Sequence, residues 1–320
     1  MNFQQLRIIR ETVRRGFNLT EVAAALATSQ SGVSKHIKDI EAELGVELFI
    51  RHGKRLLGLT DPGREILGIV DRMLVDAGNI RRIADQLGRA DEGELVLATT
   101  HTHARYALPK VVAAFRAQFP RIHLVLHQTS PDEIATMLQE GAADIGIATE
   151  AVAQSPQLVT FPFYSWHHAV IVPKGHTLER TLPLTVERLA DYPIITYHTG
   201  FTGRPAIDRA FAKVGLVPDI VMSALDADVI KAYVELGLGV GIVAAVAFDA
   251  ERDTHLTKLP ADDIFAQSTS HIALRRGRFL RGFAYRFIEL CRPELTERVI
   301  RVELSEEGRP GALPLDPARG

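Results

Sequence analysis

The first sixty residues carry apolar positions at helical spacing, broken by short polar turns. Phe3, Leu6, Ile9 and Val13 share one face of a first helix. Asn18, three residues before Glu21, makes a capping-box start for a short alanine-rich second helix, TEVAAALA. Thr28-Ser29-Gln30-Ser31 interrupts it. Val33, Ile37, Ile40 and Leu44 then recur at spacings of 4, 3 and 4, and Gly45 supplies a left-handed stop. Leu48-Phe49, the basic loop RHGKR and Leu56–Thr60 read as two short strands. From Pro62, suited to a first helical turn, the pattern lengthens. Ile66, Val70, Met73, Ala77, Ile80, Ala84 and Leu87 alternate spacings of 4 and 3. That heptad seam predicts a coiled coil with a second chain rather than a helix laid on a globular core.

Beyond residue 92 strands alternate with helices. Leu95–Ala98, His123–Gln128 and Asp144–Ala148 read as strands, and Ser130 with Glu133 opens a helix between the last two. Near Pro162 the chain is expected to leave this first lobe for a second. Strands are expected there near Ala169–Val172, Ile194–Tyr197 and Ile220–Ser223, before a return through Ser270–Leu274 and a final helix. The predicted fold is an α+β multidomain chain. Residues 1–60 form a winged helix-turn-helix and 61–92 a long coiled-coil linker helix. Residues 93–303 form a two-lobed α/β domain of periplasmic-binding-protein-like type, with lobe I at 93–162 and 268–303 and lobe II at 163–267. The tail, 304–320, is proline- and glycine-rich and expected to be disordered.

A helix-turn-helix sets its last helix in the major groove of DNA. The exposed face of that helix offers Gln30, Ser31, Ser34, Lys35 and Lys38. Glutamine can read adenine, serine can bond a base or phosphate, and lysine neutralises phosphate. Arg51, Lys54 and Arg55 fall at the wing tip. In the two-lobed part ligands belong at the carboxyl ends of strands and in the cleft between lobes. Thr100, Thr102 and His103 follow one strand, Thr149 ends another, and Thr199 and Thr202 follow a third just before a helix near Arg204. Hydroxyls and free amides at helix starts suit a small oxyanion or carboxylate. Trp166 lies near the lobe crossing and either borders the cleft or packs. If His103 titrates near its ordinary value, anion binding strengthens as pH falls toward 6.

Composition narrows the field. The chain has 320 residues, 37 basic and 39 acidic, for a net charge of −2. Residues 1–92 hold 14 basic and 13 acidic side chains, so a DNA-facing patch depends on placement rather than on total charge. Cys291 is the single cysteine, which excludes an intrachain disulfide. No apolar run reaches membrane-spanning length and MNFQQLRIIRETVRRG has no secretory pattern, so a cytoplasmic protein is expected. Gly237, Gly239 and Gly241 follow a helix and precede a strand, the reverse of the order dinucleotide binding needs. The histidines lack zinc spacing, so no metal and no cofactor are expected, and no catalytic triad stands out. The basic run Arg275, Arg276, Arg278, Arg281 and Arg286 reads as a solvated face.

The segment TSQSGVSKHIKDIEAELGVELFIRHGKRLLGLTDPG resembles the LysR-type transcriptional regulators, with Ser31 where that family usually has proline. ATTHTHARYALP at 98–109, ATEA at 148–151, TYHTGFTGR at 196–204 and DADVIKAYVELGLGVGIVA at 226–244 look like its CysB branch. The resemblance runs to about residue 300. It implies a homo-oligomeric regulator, a dimer of dimers, on pseudo-palindromic promoter DNA, working with RNA polymerase and without enzymatic activity. It implies control of sulfur assimilation and cysteine synthesis. O-acetylserine or N-acetylserine would induce, and sulfate, thiosulfate or sulfide would oppose. A paralogous regulator of sulfonate or sulfate-ester use is the alternative, and a two-lobed binding protein or enzyme a more distant one. By the same resemblance Thr100, Thr102, Thr149 and Thr202 line the effector site, with His103 where the branch usually has glutamine.

Overall fold

A computed structural model describes residues 1–53, 55–88, 92–149, 152, 155–181, 183–201 and 203–304, with the backbone alone at 86–88. Lys54, Thr202, the Leu87 side chain and the tail from 305 lie outside the described residues. Two compact units result: Met1–Gly88 with Gly277–Phe279, and the remainder.

In the first unit α1 (Phe3–Arg14), α2 (Leu19–Ala25) and α3 (Gln30–Leu44) are followed by β1 (Phe49–His52) and β2 (Arg55–Leu59), paired antiparallel, and by α4 (Asp61–Gly88). The helix starts are chemically marked. Asn2 caps α1 in a full capping box, the Asn18 side chain accepts from Thr20 and Glu21 amides, and Ser29 accepts from Gly32. Gly45 ends α3 in the left-handed conformation. Leu6, Ile8, Ile9, Val22, Val33, Ile37, Ile40, Leu48 and Phe49 form one buried cluster. Phe3 is not in it, because it stands in the exposed first turn. Gly63 lets α4 approach the wing: a Cβ there would fall 2.1 Å from the Leu48 carbonyl oxygen.

The heptad reading of α4 needs correction at its start. Val70 is buried in the cluster of its own head, and Ile66 and Met73 pack against that cluster. A helix that begins beside a small helical domain completes that domain's core first. Only further along does its apolar face turn outward, with Ile80 69% and Ile83 41% exposed.

The second unit holds two five-stranded sheets. Lobe I is built from β3 (Gly93–Thr99), α5 (Pro109–Gln118), β4 (Ile122–Gln128), α6 (Pro131–Glu140), β5 (Ile145–Ala148) and β6 (Leu158–Trp166). Lobe II contains β7 (His168–Pro173), α7 (Val186–Ala190), β8 (Ile194–Tyr197), α8 (Arg204–Lys213), β9 (Ile220–Ala224), α9 (Ala227–Glu235), β10 (Val240–Ala244) and β11 (Leu256–Leu259). The chain re-enters lobe I as β12 (Ser268–Arg275), then α10 (Gly282–Cys291) and α11 (Glu297–Leu304). The sheet orders are β4-β3-β5-β12-β6 and β11-β7-β10-β8-β9. β3 runs parallel to β4 and β5, and β8 parallel to β9 and β10, as crossover helices require. Each sheet has its own buried cluster, one around Phe115, Ile147 and Phe287, the other around Val170, Ile207 and Phe211.

The lobe crossing falls later than Pro162. β6 pairs with β12 up to Trp166↔Ser268, and only His167 separates it from β7 in the other sheet. Pro162 is tolerated because β6 is an edge strand and the register shifts beside it, between Ser270 and His271. The arginine run is likewise not one solvated face. Arg275 and Arg278 are buried, and Arg286 donates to Gln118 and Glu289. Among the described residues no helix is long and apolar enough to cross a membrane.

Candidate functional site

Two surfaces gather the singled-out residues. In the head, Gln30, Ser31, Lys35, Lys38 and Arg55 are exposed and Ser34 is half-buried. Gln30, Ser31, Ser34 and Lys38 border one open groove with Arg51 and Gly53. Ser31 Oγ lies 3.1 Å from Ser29 Oγ, so the start of α3 presents a cap and a hydroxyl together. Arg51 differs from expectation. Its guanidinium donates to Glu41 at 2.6 Å, and the other oxygen of that carboxylate accepts from the Leu48 and Phe49 amides at 2.9 and 3.2 Å. Its charge is neutralised within the head, where it ties the wing to α3.

In the second unit the ends of β3 and β5 and the crossing strands converge. Thr100, Thr102, His103 and Thr149 are each at most 4% exposed. The buried His103 ring is held at both nitrogens: Nδ1 lies 2.7 Å from Thr100 Oγ1 and Nε2 2.8 Å from Ser270 Oγ. The Trp166 indole N–H donates to the same Ser270 oxygen at 3.1 Å. Tyr164 meets the His103 ring edge to face at 5.8 Å between centroids. Burial lowers the His103 pKa to about 4, so the ring is neutral across the range in which its titration was expected to strengthen anion binding. The Thr149 hydroxyl makes no hydrogen bond among the described residues, and the Thr102 hydroxyl makes none of good geometry. Two threonine hydroxyls in a buried polar patch, beside a histidine fixed in orientation, form a neutral, donor-rich cluster suited to a small oxyanion.

Thr199 does not join this cluster. It is exposed, and its carbonyl accepts from His198 Nδ1. The loop it belongs to returns at Gly203, in left-handed backbone at φ 71°, where a Cβ would meet Trp166 and His168 at 2.6 Å. Trp166 therefore both borders the cluster and packs. Two further residues were not assigned to this site from sequence, although His168 was among the histidines considered and set aside as metal ligands. Ser270 is the shared partner of His103 and Trp166, and its signal was a lone hydroxyl in a buried strand. His168 is buried with neither ring nitrogen bonded among the described residues. Burial, then the neighbouring His167, lowers its pKa to about 4.

The family comparisons match both surfaces. Residues 3–64 match the model of bacterial regulatory helix-turn-helix proteins of the lysR family, and residues 88–296 match the LysR substrate binding domain. The chain belongs to the LysR family. It is a DNA-binding transcriptional regulator with a small-molecule domain, not an enzyme. Among LysR-family relatives, the HTH-type transcriptional regulator SsuR of Burkholderia cenocepacia is 58% identical over 306 residues, covering 96% of this chain and 99% of the relative. The regulator cbl of Escherichia coli is 51% identical, covering 96% and 97%. The regulator CysB of Burkholderia cenocepacia is 48% identical, covering 96% and 98%. The solved cofactor-binding domain of the Cbl transcriptional regulator aligns with TM-score 0.65 at 48% identity, over 67% of this chain and 94% of that one. Full-length CbnR in complex with its target DNA aligns with TM-score 0.54 at 21% identity over 92% of this chain and 99% of that one, which speaks to fold.

Proposed function

We propose that this LysR-family chain is a cytoplasmic, homo-oligomeric regulator of sulfur-acquisition genes whose effector is a small sulfur-containing or sulfur-pathway anion held at Thr100, Thr102, His103 and Thr149, with Thr202 completing the set. The observation that carries the reading is His103 fixed between Thr100 and Ser270. With Nε2 accepting from the Ser270 hydroxyl, Nδ1–H donates to Thr100 Oγ1, and the Thr100 proton is left to point at an anion. A neutral ring in place of the branch's glutamine thus still orients a donor. Sulfate, thiosulfate and the acetylserines fit such a cluster, as do sulfonates.

The head would read promoter DNA through Gln30, Ser31, Ser34, Lys35 and Lys38, with Lys54 and Arg55 at the wing tip and Arg51 holding the wing. Ile80 and Ala84, with Leu87 by its place in the sequence, would meet a second chain. Control of cysteine-synthesis genes is one reading. Control of sulfonate or sulfate-ester use is the other, and it is favoured by the order of similarity, 58% to SsuR against 48% to CysB from the same organism. A thermal-shift panel of sulfate, thiosulfate, acetylserines and taurine-like sulfonates on the full chain tests the effector class. At least one should raise Tm, and no shift from any would overturn it. Footprinting on sulfonate-uptake and cysteine-synthesis promoters separates the two readings.

A further inference from the structure

The segment DADVIK at 226–231 is absorbed by neither surface, yet it carries a charge network that reaches across the lobe seam. Asp226 caps α9, accepting from the Val229 amide at 2.9 Å, and so fixes Asp228 in the first turn, where a carboxylate is favoured by the helix dipole. Asp228 faces lobe I. Its Oδ1 accepts from Tyr106 Oη at 2.6 Å, and its Oδ2 lies 3.4 Å from Arg105 Nε. The Lys231 ammonium is 3.1 Å from Asp228 and 3.0 Å from Asp253, donates to the Ala247 carbonyl, and stands 5.6 Å over the Tyr106 ring. Lys231 is buried. Burial pushes the Asp228 carboxyl up, but Tyr106, Lys231 and Arg105 together outweigh it and hold the group below the usual carboxylate range.

Tyr106 and Arg105 belong to a single π-helical turn, His103–Ala107, closed by the Leu108 amide on the His103 carbonyl. Such wide turns are rare and cluster at functional sites. His103 begins the turn, and Tyr106, three residues on, leaves lobe I to pack against the lobe II cluster of Ile171, Tyr197 and Ile230. One turn therefore has its first residue in the proposed effector cluster and its fourth residue tied to the other lobe.

We propose that Asp228 is a positioning residue for the effector site: by holding Tyr106 across the lobe seam, it fixes the turn that aims His103. Effector affinity then depends on how the lobes are set, and a ligand that prefers one setting shifts the population toward it. The effector half of this inference rests on the proposed site.

The test uses the full chain and Trp166, the sole tryptophan, bonded to the same Ser270 as His103. Wild type is compared with Asp228→Ala, Tyr106→Phe and Asp228→Asn, which keeps an acceptor for Tyr106. Lys231 retains Asp253 and the Ala247 carbonyl in every variant. Without effector, acrylamide quenching of Trp166 should rise about twofold in Asp228→Ala and Tyr106→Phe as the seam opens, and less in Asp228→Asn. Calorimetric sulfate affinity should fall about tenfold in the first two, the loss of one charge-assisted hydrogen bond. Unchanged quenching in both variants overturns the clamp, whatever their Tm. Normal quenching changes with unaltered sulfate affinity overturn its link to the effector. If wild type itself takes no sulfate, the proposed sulfate site fails, while quenching still decides the clamp.

Discussion

Each buried histidine of the effector lobes is a base kept neutral by its surroundings. His103 and His168 both titrate near 4 in the folded chain instead of near 6.5, chiefly through burial. The unfolded chain therefore binds more protons between those values, and stability falls as pH drops from 6.5 toward 4. Each histidine accounts for about 3 kcal/mol by pH 4, at 1.36 kcal/mol per pKa unit. Thermal melts from pH 7 to 4 should show this loss, and His103→Gln should remove about half of it, leaving the His168 share. Oxyanion affinity, by contrast, should change little between pH 8 and 6, because free His103 gains no proton there; calorimetry at the two values checks this. At this scale the gathering of Thr100, Thr102, His103 and Thr149 was legible, since an α/β lobe brings its strand ends together. Ser270 was not, because it lies 167 residues from His103 and its strand position alone says nothing of its partner. Thr199 looked equivalent to its neighbours, but its loop turns it to solvent.

Elements were more legible than residues wherever a cap or a stop fixed an end. Asn18, Ser29, Ser130 and Gly45 mark helix boundaries in the sequence and do so in the structure. Periodicity was weaker evidence about partners, since the same stripe serves a domain core and a dimer seam. α4 gives its first part to the head core and leaves Ile80 and Ile83 exposed, where the proposed seam would form. Val70→Ala should destabilise the head by about 2 kcal/mol, the removal of buried methyl groups. Ile80→Asp with Ile83→Asp should leave head stability intact and weaken self-association. Thermal unfolding and sedimentation equilibrium read the two effects separately. Pro162 shows the converse: a residue that reads as a break lies inside β6 because the strand is an edge, and edge position is a property of the whole sheet.

On the scale of the whole molecule, the two units divide the work and carry nearly balanced charge. DNA affinity is then expected to rest on a few exposed lysines and arginines rather than on bulk potential, and its salt dependence should be modest for a DNA binder. Removing residues 1–91 should abolish DNA retention in a gel shift and keep the effector-induced change in Tm. The lobe seam was the least legible feature. Tyr106 and Asp228 are 122 residues apart, and neither belongs to a pattern of period 2 or 3.6. All of this turns on whether the Thr100–His103–Ser270 cluster holds the effector, as proposed. The anion that raises Tm is titrated by calorimetry into wild type and into Thr100→Val. Thr100→Val should lose about tenfold in affinity with an unchanged fold, the cost of one donor to a charged group. Equal affinity in the two proteins would rule the cluster out as the effector site.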